Sequence, residues 1–282
     1  MTPMVLVDSH CHLDAAEFDT DRAEVVGRAR AAGVRAQVVP ATHAAAWPAL
    51  REVCRSFEGL YPAYGLHPVF LDQHQSGDLR QLRDWLARER PVAVGECGLD
   101  HFVETLDRDT QQQLFEGQLR LAREFDLPVI VHARRAVDAV IAALRRVGGL
   151  RGVVHSFSGS EEQARQLWKL GFLLGLGGPV TYERARRLRR LAAGMPIEHL
   201  LLETDAPDQP DAGGRGQRNE PARLVGVLET IARLREADPA DVAAATTANA
   251  RPVIDATAPR PGSSGTCTTS GSSPSTTRTA SV

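Results

Sequence analysis

Short apolar runs alternate with segments of helical periodicity along most of the chain. Such runs of strand length, bounded by glycine, proline or polar residues, predict eight strands at residues 4–7, 34–40, 61–66, 92–96, 128–132, 151–155, 172–177 and 199–205. Apolar residues at helical spacing predict helices at 23–32, 44–57, 79–88, 108–125, 136–147, 161–170, 182–192, 221–235 and 239–250.

This alternation indicates an α/β fold with a parallel sheet. Continuous apolar runs are typical of parallel strands that are buried on both faces. Eight strand–helix units over about 250 residues fit a (β/α)8 TIM barrel, which we expect as a single domain over residues 1–257. The alternative is an open doubly wound sheet, but the glycines at 175–178 lack the spacing of a dinucleotide-binding loop.

The last 25 residues, 258–282, have a different composition. Serine and threonine dominate, and there is no apolar periodicity. Such a segment buries too little apolar surface to offset the entropy lost on ordering. We therefore expect a disordered tail that contributes nothing to the chemistry.

Bulk properties narrow the class of protein. No apolar run approaches the roughly 20 residues that span a bilayer, and no signal-peptide pattern precedes the first strand. Four cysteines without CxxC spacing form no disulfide framework, and a net charge of −2 gives no broad basic footprint. We expect a cytoplasmic monomer that has no membrane association.

Metal-capable side chains follow five of the predicted strands. His10 and His12 come after the first strand, and residues i and i+2 of a strand project from the same face, which suits a divalent ion. Further candidates follow later strands: Glu96, His132, His155 and Asp205. The carboxyl ends of barrel strands form one rim, where the active sites of this fold lie.

These four imidazoles and two carboxylates exceed the needs of one tetrahedral ion. They suit two divalent ions that share a bridging group. Such a pair binds both the attacking and the leaving oxygen of a phosphoryl displacement and lowers the pKa of bound water.

Six motifs carry a resemblance to a known family. They are DSHCHLD at 8–14, GLHP at 65–68, GECGLD at 95–100, VHAR at 131–134, HSFSG at 155–159 and ETDAP at 203–207. In this order they resemble the TatD family of metal-dependent DNases, and QRNEP at 217–221 extends the match to about residue 250. Residues 175–185 and 206–208 are most similar to its YjjV-like branch.

The resemblance implies a barrel of the amidohydrolase superfamily with two divalent ions, Mg²⁺, Mn²⁺ or Zn²⁺. It implies that His10, His12 and Asp205 hold one ion and that His132 and His155 hold the other. Glu96 would bridge the two ions. A carboxylated lysine cannot take that role, because the only lysine, Lys169, lies in a predicted helix.

A mechanism follows as a hypothesis. A metal-activated water attacks phosphorus, with Asp205 orienting or deprotonating it and Glu96 completing the catalytic pair. His67 and Arg134 lie just beyond strand ends, and we expect them to contact the substrate phosphate. The alternatives are that His67 holds its loop and that Arg134 pairs with a neighbouring acid.

The leading functional prediction is a 3′ exonuclease on single-stranded DNA. A second hypothesis keeps the barrel and the ions but cleaves another ester or amide: a small phosphoester, a lactone or an aminoacyl-tRNA. A third is a metal-binding quality-control protein without catalysis. The fold alone does not decide between them.

Two features depart from or add to the family pattern. His101 stands where the family commonly has an aromatic residue after GLD. The basic segment 184–190 is typical of a solvated helix face, with a nucleic-acid contact as the alternative.

Overall fold

A computed structural model describes residues 4–254 of the 282. The predicted disordered tail and the domain boundary at 257 lie outside these residues. Within them the strands are β1 Leu6–Asp8, β2 Val34–Pro40, β3 Leu60–Tyr64, β4 Ala93–Asp100, β5 Val129–Arg134, β6 Gly152–Val154, β7 Phe172–Leu176 and β8 Leu200–Leu202. The helices are α1 Arg22–Ala31, α2 Trp47–Ser56, α3 Asp78–Glu89, α4 Arg108–Phe125, α5 Val137–Val147, α6 Glu161–Lys169, α7 Arg186–Gly194, α8 Leu224–Leu234 and α9 Pro239–Ile254.

The strands form one parallel sheet in the order β1 to β8. Backbone hydrogen bonds from Ser9 N to Leu202 O (3.0 Å) and from Asp205 N to His10 O (2.9 Å) join its first and last strands. The predicted single-domain (β/α)8 barrel is therefore confirmed over the described residues.

Apolar side chains line the inside of the barrel towards its amino-terminal end. This group, the lower core, consists of Val7, Val38, Ala63, Ala93, Ile130, Val153 and Leu201, together with Ala250 of α9. α9 covers this end, since Asn249 donates from its side-chain amide to the carbonyl oxygens of Ile197 (2.7 Å) and Leu200 (3.0 Å). A larger apolar cluster lies between the strands and the surrounding helices.

The starts of α4 and α6 are capped by side chains. Asp107 accepts the Thr110 N–H at the start of α4 (2.8 Å), and Ser160 forms a capping box with Gln163 at the start of α6. Because α4 follows β4 and α6 follows β6, these two starts lie at the carboxyl-terminal rim. The rim is built from strand ends and helix starts, and these two starts are held by their caps.

Several predicted boundaries were wrong. The first strand covers Leu6–Asp8 instead of residues 4–7, although His10 and His12 follow it as predicted, and β8 ends at Leu202 instead of reaching residue 205. The predicted helix over 182–192 begins only at Arg186, after a 3-10 turn at Gly178–Thr181, and α9 continues past Ala250 to Ile254. Tertiary hydrogen bonds and packing set these ends, and neither is visible as periodicity.

The most informative correction concerns β4, which continues past Glu96 to Asp100. Between Val94 and Cys97 it has one residue more than its partner β5, which marks a bulge. A regular strand would place Ala93 and Glu96, three residues apart, on opposite faces. The extra residue puts both inside the barrel, and Gly95 permits it because a Cβ there would lie 2.7 Å from the Ile130 Cβ.

None of the helices within residues 4–254 is long and apolar enough to cross a membrane.

Candidate metal centre

The structure brings the six predicted metal ligands together at the carboxyl-terminal rim of the barrel. Among the described residues, three overlapping groups have ligand atoms close enough to share an ion: His10, His12 and Glu96; His10, His155 and Asp205; and His67, Glu96 and His132. All of these residues except the fully buried His10 border a cavity of about 950 Å³. The ligand roles themselves stay predictions.

Glu96 lies at the centre, and its two oxygens face different histidines. Oε2 lies 3.1 Å from His10 Nε2 and 3.4 Å from His12 Nε2. Oε1 lies 3.1 Å from His132 Nδ1 and 2.8 Å from His155 Nε2. This division matches the arrangement that the family resemblance implies for a bridging carboxylate. Asp205 Oδ1 lies on the first side, 3.4 Å from His10 Nε2.

Backbone hydrogen bonds beyond the end of β1 hold the segment that contains His10 and His12. Cys11 donates its N–H to Val38 O (3.1 Å) and His12 donates its N–H to Ala206 O (2.7 Å). The intervening Cys11 side chain is fully buried in the larger apolar cluster.

Hydrogen bonds to the outer ring nitrogens divide the histidines into two kinds. The His12 Nδ1 faces the carbonyl oxygen of Pro40 (3.2 Å), and the His132 Nε2 faces Asp100 Oδ2 (2.9 Å). Both partners accept, so each of these nitrogens carries a hydrogen. The inner nitrogen of each neutral ring therefore offers a lone pair to the centre, as a metal ligand must.

His67 has the opposite arrangement. Its Nδ1 accepts the backbone N–H of Val69 (3.0 Å), so the hydrogen of the neutral ring is on Nε2. That Nε2 lies 2.9 Å from Glu96 Oε1. His67 is thus oriented as a hydrogen-bond donor into the cavity, which is the property that a phosphate contact needs and a metal ligand lacks.

The centre also has the electrostatics of a cation site. Burial alone would raise the pKa of Glu96, but His67, His155 and His10 outweigh it and hold that pKa well below its usual value. Burial by itself lowers the pKa of His12, yet the hydrogen bond to Glu96 and the charges of Glu96 and Asp205 raise it to about 9. Both shifts have the same cause, because the buried carboxylates stabilise positive charge at this position.

Buried polar atoms without a hydrogen-bond partner support the same interpretation. Among the described residues, Glu96 Oε2, His10 Nδ1 and His155 Nδ1 have none of acceptable geometry. Unsatisfied buried polar atoms are costly, and metal coordination is one way to compensate them. With an oxygen and nitrogen donor set of this size, the residues fit divalent ions.

Three supporting residues were not assigned by the sequence. Asp100 fixes the His132 ring and accepts the N–H groups of Phe102 and Val103. The sequence analysis missed it because the predicted strand ended at Glu96, whereas β4 continues to Asp100, which shares the face of Glu96. Asp8, left without a role, accepts from Thr204 N (3.0 Å) and Oγ1 (2.6 Å) and so fixes the turn before Asp205.

Gln209 is the third, and no sequence pattern indicates it. Its Nε2 donates to Asp205 Oδ2, while its Oε1 accepts from the Ser156 hydroxyl (2.8 Å). Asp205 therefore keeps Oδ1 directed at His10 and His12. Nearby, the fully buried Glu203 fits only because residue 175 is glycine, where a Cβ would lie 1.9 Å from Glu203 Oε2.

Comparisons with known proteins agree with this geometry. The family described as TatD related DNase matches residues 7–255. The metal-dependent hydrolase YjjV of Escherichia coli K12, described as uncharacterized, is 43% identical over 238 residues, covering 83% of this chain and 92% of that protein. Its crystal structure has a TM-score of 0.85 and covers 90% of this chain and 99% of that one, at 39% identity.

A further relative has an assigned activity. The protein named 3′-5′ ssDNA/RNA exonuclease TatD from Cronobacter sakazakii is 36% identical over 252 residues, covering 87% of this chain and 96% of that protein. The family match spans most of the chain, and the relatives match over nearly their whole lengths. This chain belongs to the TatD family and is a metal-dependent hydrolase.

Proposed function

We propose that this protein is a phosphodiesterase that degrades single-stranded DNA from its 3′ end with two divalent ions. His10, His12 and Asp205 would hold one ion, His132 and His155 the other, and Glu96 would bridge them. The single observation that carries this proposal is the division of Glu96, with each carboxylate oxygen directed at a different pair of histidines.

The nuclease assignment has further support. The Cronobacter sakazakii relative is named as an exonuclease on ssDNA and RNA. In this chain the rim cavity is bordered by Arg134 and His67, a guanidinium and a ring N–H donor suited to phosphate oxygens. No ion pair joins Arg134 to a carboxylate among the described residues, so its charge is available to an anion.

When bound, the two ions would polarise a phosphoryl oxygen and lower the pKa of the attacking water. Asp205 Oδ1 accepts the water proton as the new P–O bond forms, while Gln209 holds Oδ2 in place. The bond from phosphorus to the leaving alcohol oxygen breaks, and the proton held by Asp205 passes to that oxygen. His67 Nε2–H donates to a phosphate oxygen, and Arg134 compensates the charge of the phosphate group.

A substrate panel tests the proposal. Purified protein, stripped and then reloaded with Mg²⁺, Mn²⁺ or Zn²⁺, is incubated with single-stranded DNA labelled at the 5′ end, beside a phosphomonoester and a lactone. We expect a ladder that shortens from the 3′ end and requires added metal. Turnover of the lactone or the phosphomonoester without DNA cleavage would overturn the nuclease assignment. Metal binding without turnover of any substrate would favour a non-catalytic role.

A further inference from the structure

Beside the rim cavity, two consecutive arginines converge on one exposed aromatic ring. The guanidinium carbon of Arg134 lies 3.7 Å from the ring centroid of Phe102, and that of Arg135 lies 4.8 Å from it. Phe102 is 43% exposed, an unusual position for a phenylalanine. Consecutive residues of a strand normally project to opposite sides, but Arg135 follows the end of β5 with a left-handed φ of +54°.

The two arginines border different cavities that meet at Ser158. Arg134 and Ser158 border the 950 Å³ rim cavity, and Arg135 and Ser158 border a neighbouring cavity of about 440 Å³. The arginine–phenylalanine cluster thus lies between the candidate metal centre and a second concave surface. A chain that leaves the metal centre in this direction passes directly over it.

The cluster carries positive charge without a compensating carboxylate. Within residues 4–254, neither Arg134 nor Arg135 has an acidic oxygen within the 4.0 Å of an ion pair. The second cavity is also bordered by His101 and by Arg187, from the basic segment 184–190. Its one acidic lining residue, Asp138, accepts at Oδ1 from Gln163 Nε2 (2.8 Å).

Holding two like charges on one exposed ring costs repulsion that an anion would relieve. Cation–π contacts with Phe102 fix the side-chain positions and reduce the entropy lost on binding. Arginine is suited to phosphate because its planar guanidinium donates two parallel hydrogen bonds. The occupant best matched to one phosphate at the metal centre and another a short distance away is a nucleic-acid strand, which carries a charge at every linkage.

We propose that Arg135, held beside Arg134 on the Phe102 ring, forms a subsite that binds the phosphodiester adjacent to the scissile one in a single-stranded oligonucleotide, while Arg134 contacts the scissile phosphate itself. This inference rests on the proposed function, since the scissile phosphodiester is assigned to the metal centre. With this subsite the protein should bind oligonucleotides more tightly than isolated phosphodiesters. Arg187 of the basic segment 184–190, which borders the second cavity, would lie along the path of the bound DNA.

Binding measured without turnover tests the subsite. Fluorescence anisotropy follows a labelled dT8 oligonucleotide with the full-length protein in EDTA, over a series of KCl concentrations. Arg135→Gln is expected to weaken binding about tenfold at low salt and to reduce the slope of log K against log salt by about 1. Arg135→Lys is expected to retain most of the slope, which excludes misfolding as the cause.

Arg233→Gln is the matched control, because this substitution removes the same charge. Arg233 is exposed in the last turn of α8, at the opposite end of the barrel. We expect it to change neither affinity nor slope. A second comparison uses dTpdT, which has no second phosphodiester, so the loss caused by Arg135→Gln should be larger for dT8 than for the dinucleotide.

Equal losses in Arg135→Gln and Arg233→Gln, an unchanged salt slope, or no binding of dT8 by the wild type would each overturn the subsite. The proposed function fails separately. If the Arg135 effect is observed but the metal-loaded protein degrades no DNA, the subsite stands and the nuclease assignment falls.

Discussion

The two ends of the barrel interior are lined by chemically different side chains from the same strands, apolar at one end and polar at the other. At the amino-terminal end, Val38, Ile130 and Leu201 belong to an apolar lower core with no exposed surface. Two residues further along β5, the interior side chain is His132, which faces Glu96 and Asp100 instead. Over two residues of β5 the interior changes from apolar side chains that pack against one another to buried polar groups, some of which have no hydrogen-bond partner within the described residues.

Stability and function reside at different ends of the barrel interior. The lower core is satisfied by contacts within the chain, so it contributes to the free energy of unfolding directly. The rim contains buried carboxylate and imidazole atoms without hydrogen-bond partners. Such atoms cost stability, and bound cations would compensate them. Substitutions at the two ends should therefore separate activity from stability.

The largest expected effect is at the rim. Glu96→Ala should lower kcat/KM for metal-dependent hydrolysis by about 10³ or more, because the proposed bridge between the two ions is lost. The circular dichroism spectrum should remain that of the folded barrel, since the lower core is untouched. Full activity of this variant in metal-controlled buffer would contradict the role of Glu96.

At the amino-terminal end of the barrel, Leu201→Ala should lower stability and leave metal binding intact. Truncating this fully buried side chain leaves a cavity and should lower the free energy of unfolding by about 2–5 kcal/mol, measured by urea denaturation. The volume-conserving Leu201→Ile should cost less than about 1.5 kcal/mol. A folded Leu201→Ala protein that has lost metal binding would show that the two ends are not separable.

Metal binding should depend on the residue that orients His132. Asp100→Asn should weaken binding of Mn²⁺ or Zn²⁺ about 10- to 100-fold, because an amide is a poorer acceptor for the ring N–H. Isothermal titration of the stripped protein measures this. Asp107→Asn, seven residues later at the exposed start of α4, is the control and should leave metal affinity as it is.

The smallest expected effect is on the melting temperature, for a substitution of Asp107, an exposed carboxylate outside the candidate metal centre. The hydroxyl and N–H of Thr110 lower the pKa of Asp107 below its usual value. Its stabilising contribution is therefore complete above pH 3.8 and is lost as the pH falls through the lowered native value. Asp107→Ala should lower the melting temperature slightly at pH 7 and less at pH 3.5. A difference that grows on acidification would reverse the assigned sign.

Much of the fold was readable from the sequence because its signals are local. Apolar runs and helical spacing predicted all eight strands in order, and parallel topology then placed the ends of β4, β5 and β6 on one rim. The TatD family and the barrel were both confirmed. Strand ends were placed less well, because pairing with a neighbouring strand, as between Asp100 and Arg134, carries β4 beyond its apolar run.

The order of the metal-capable residues at the rim follows from the primary sequence. How these side chains face one another depends on the folded barrel. The extra residue in β4 turns Glu96 inward, and Val69 makes His67 a donor while Pro40 makes His12 a potential ligand. These roles depend on which nitrogen carries the hydrogen and on which partner lies behind each ring. Both are set by contacts between residues distant in the chain, which no local pattern encodes.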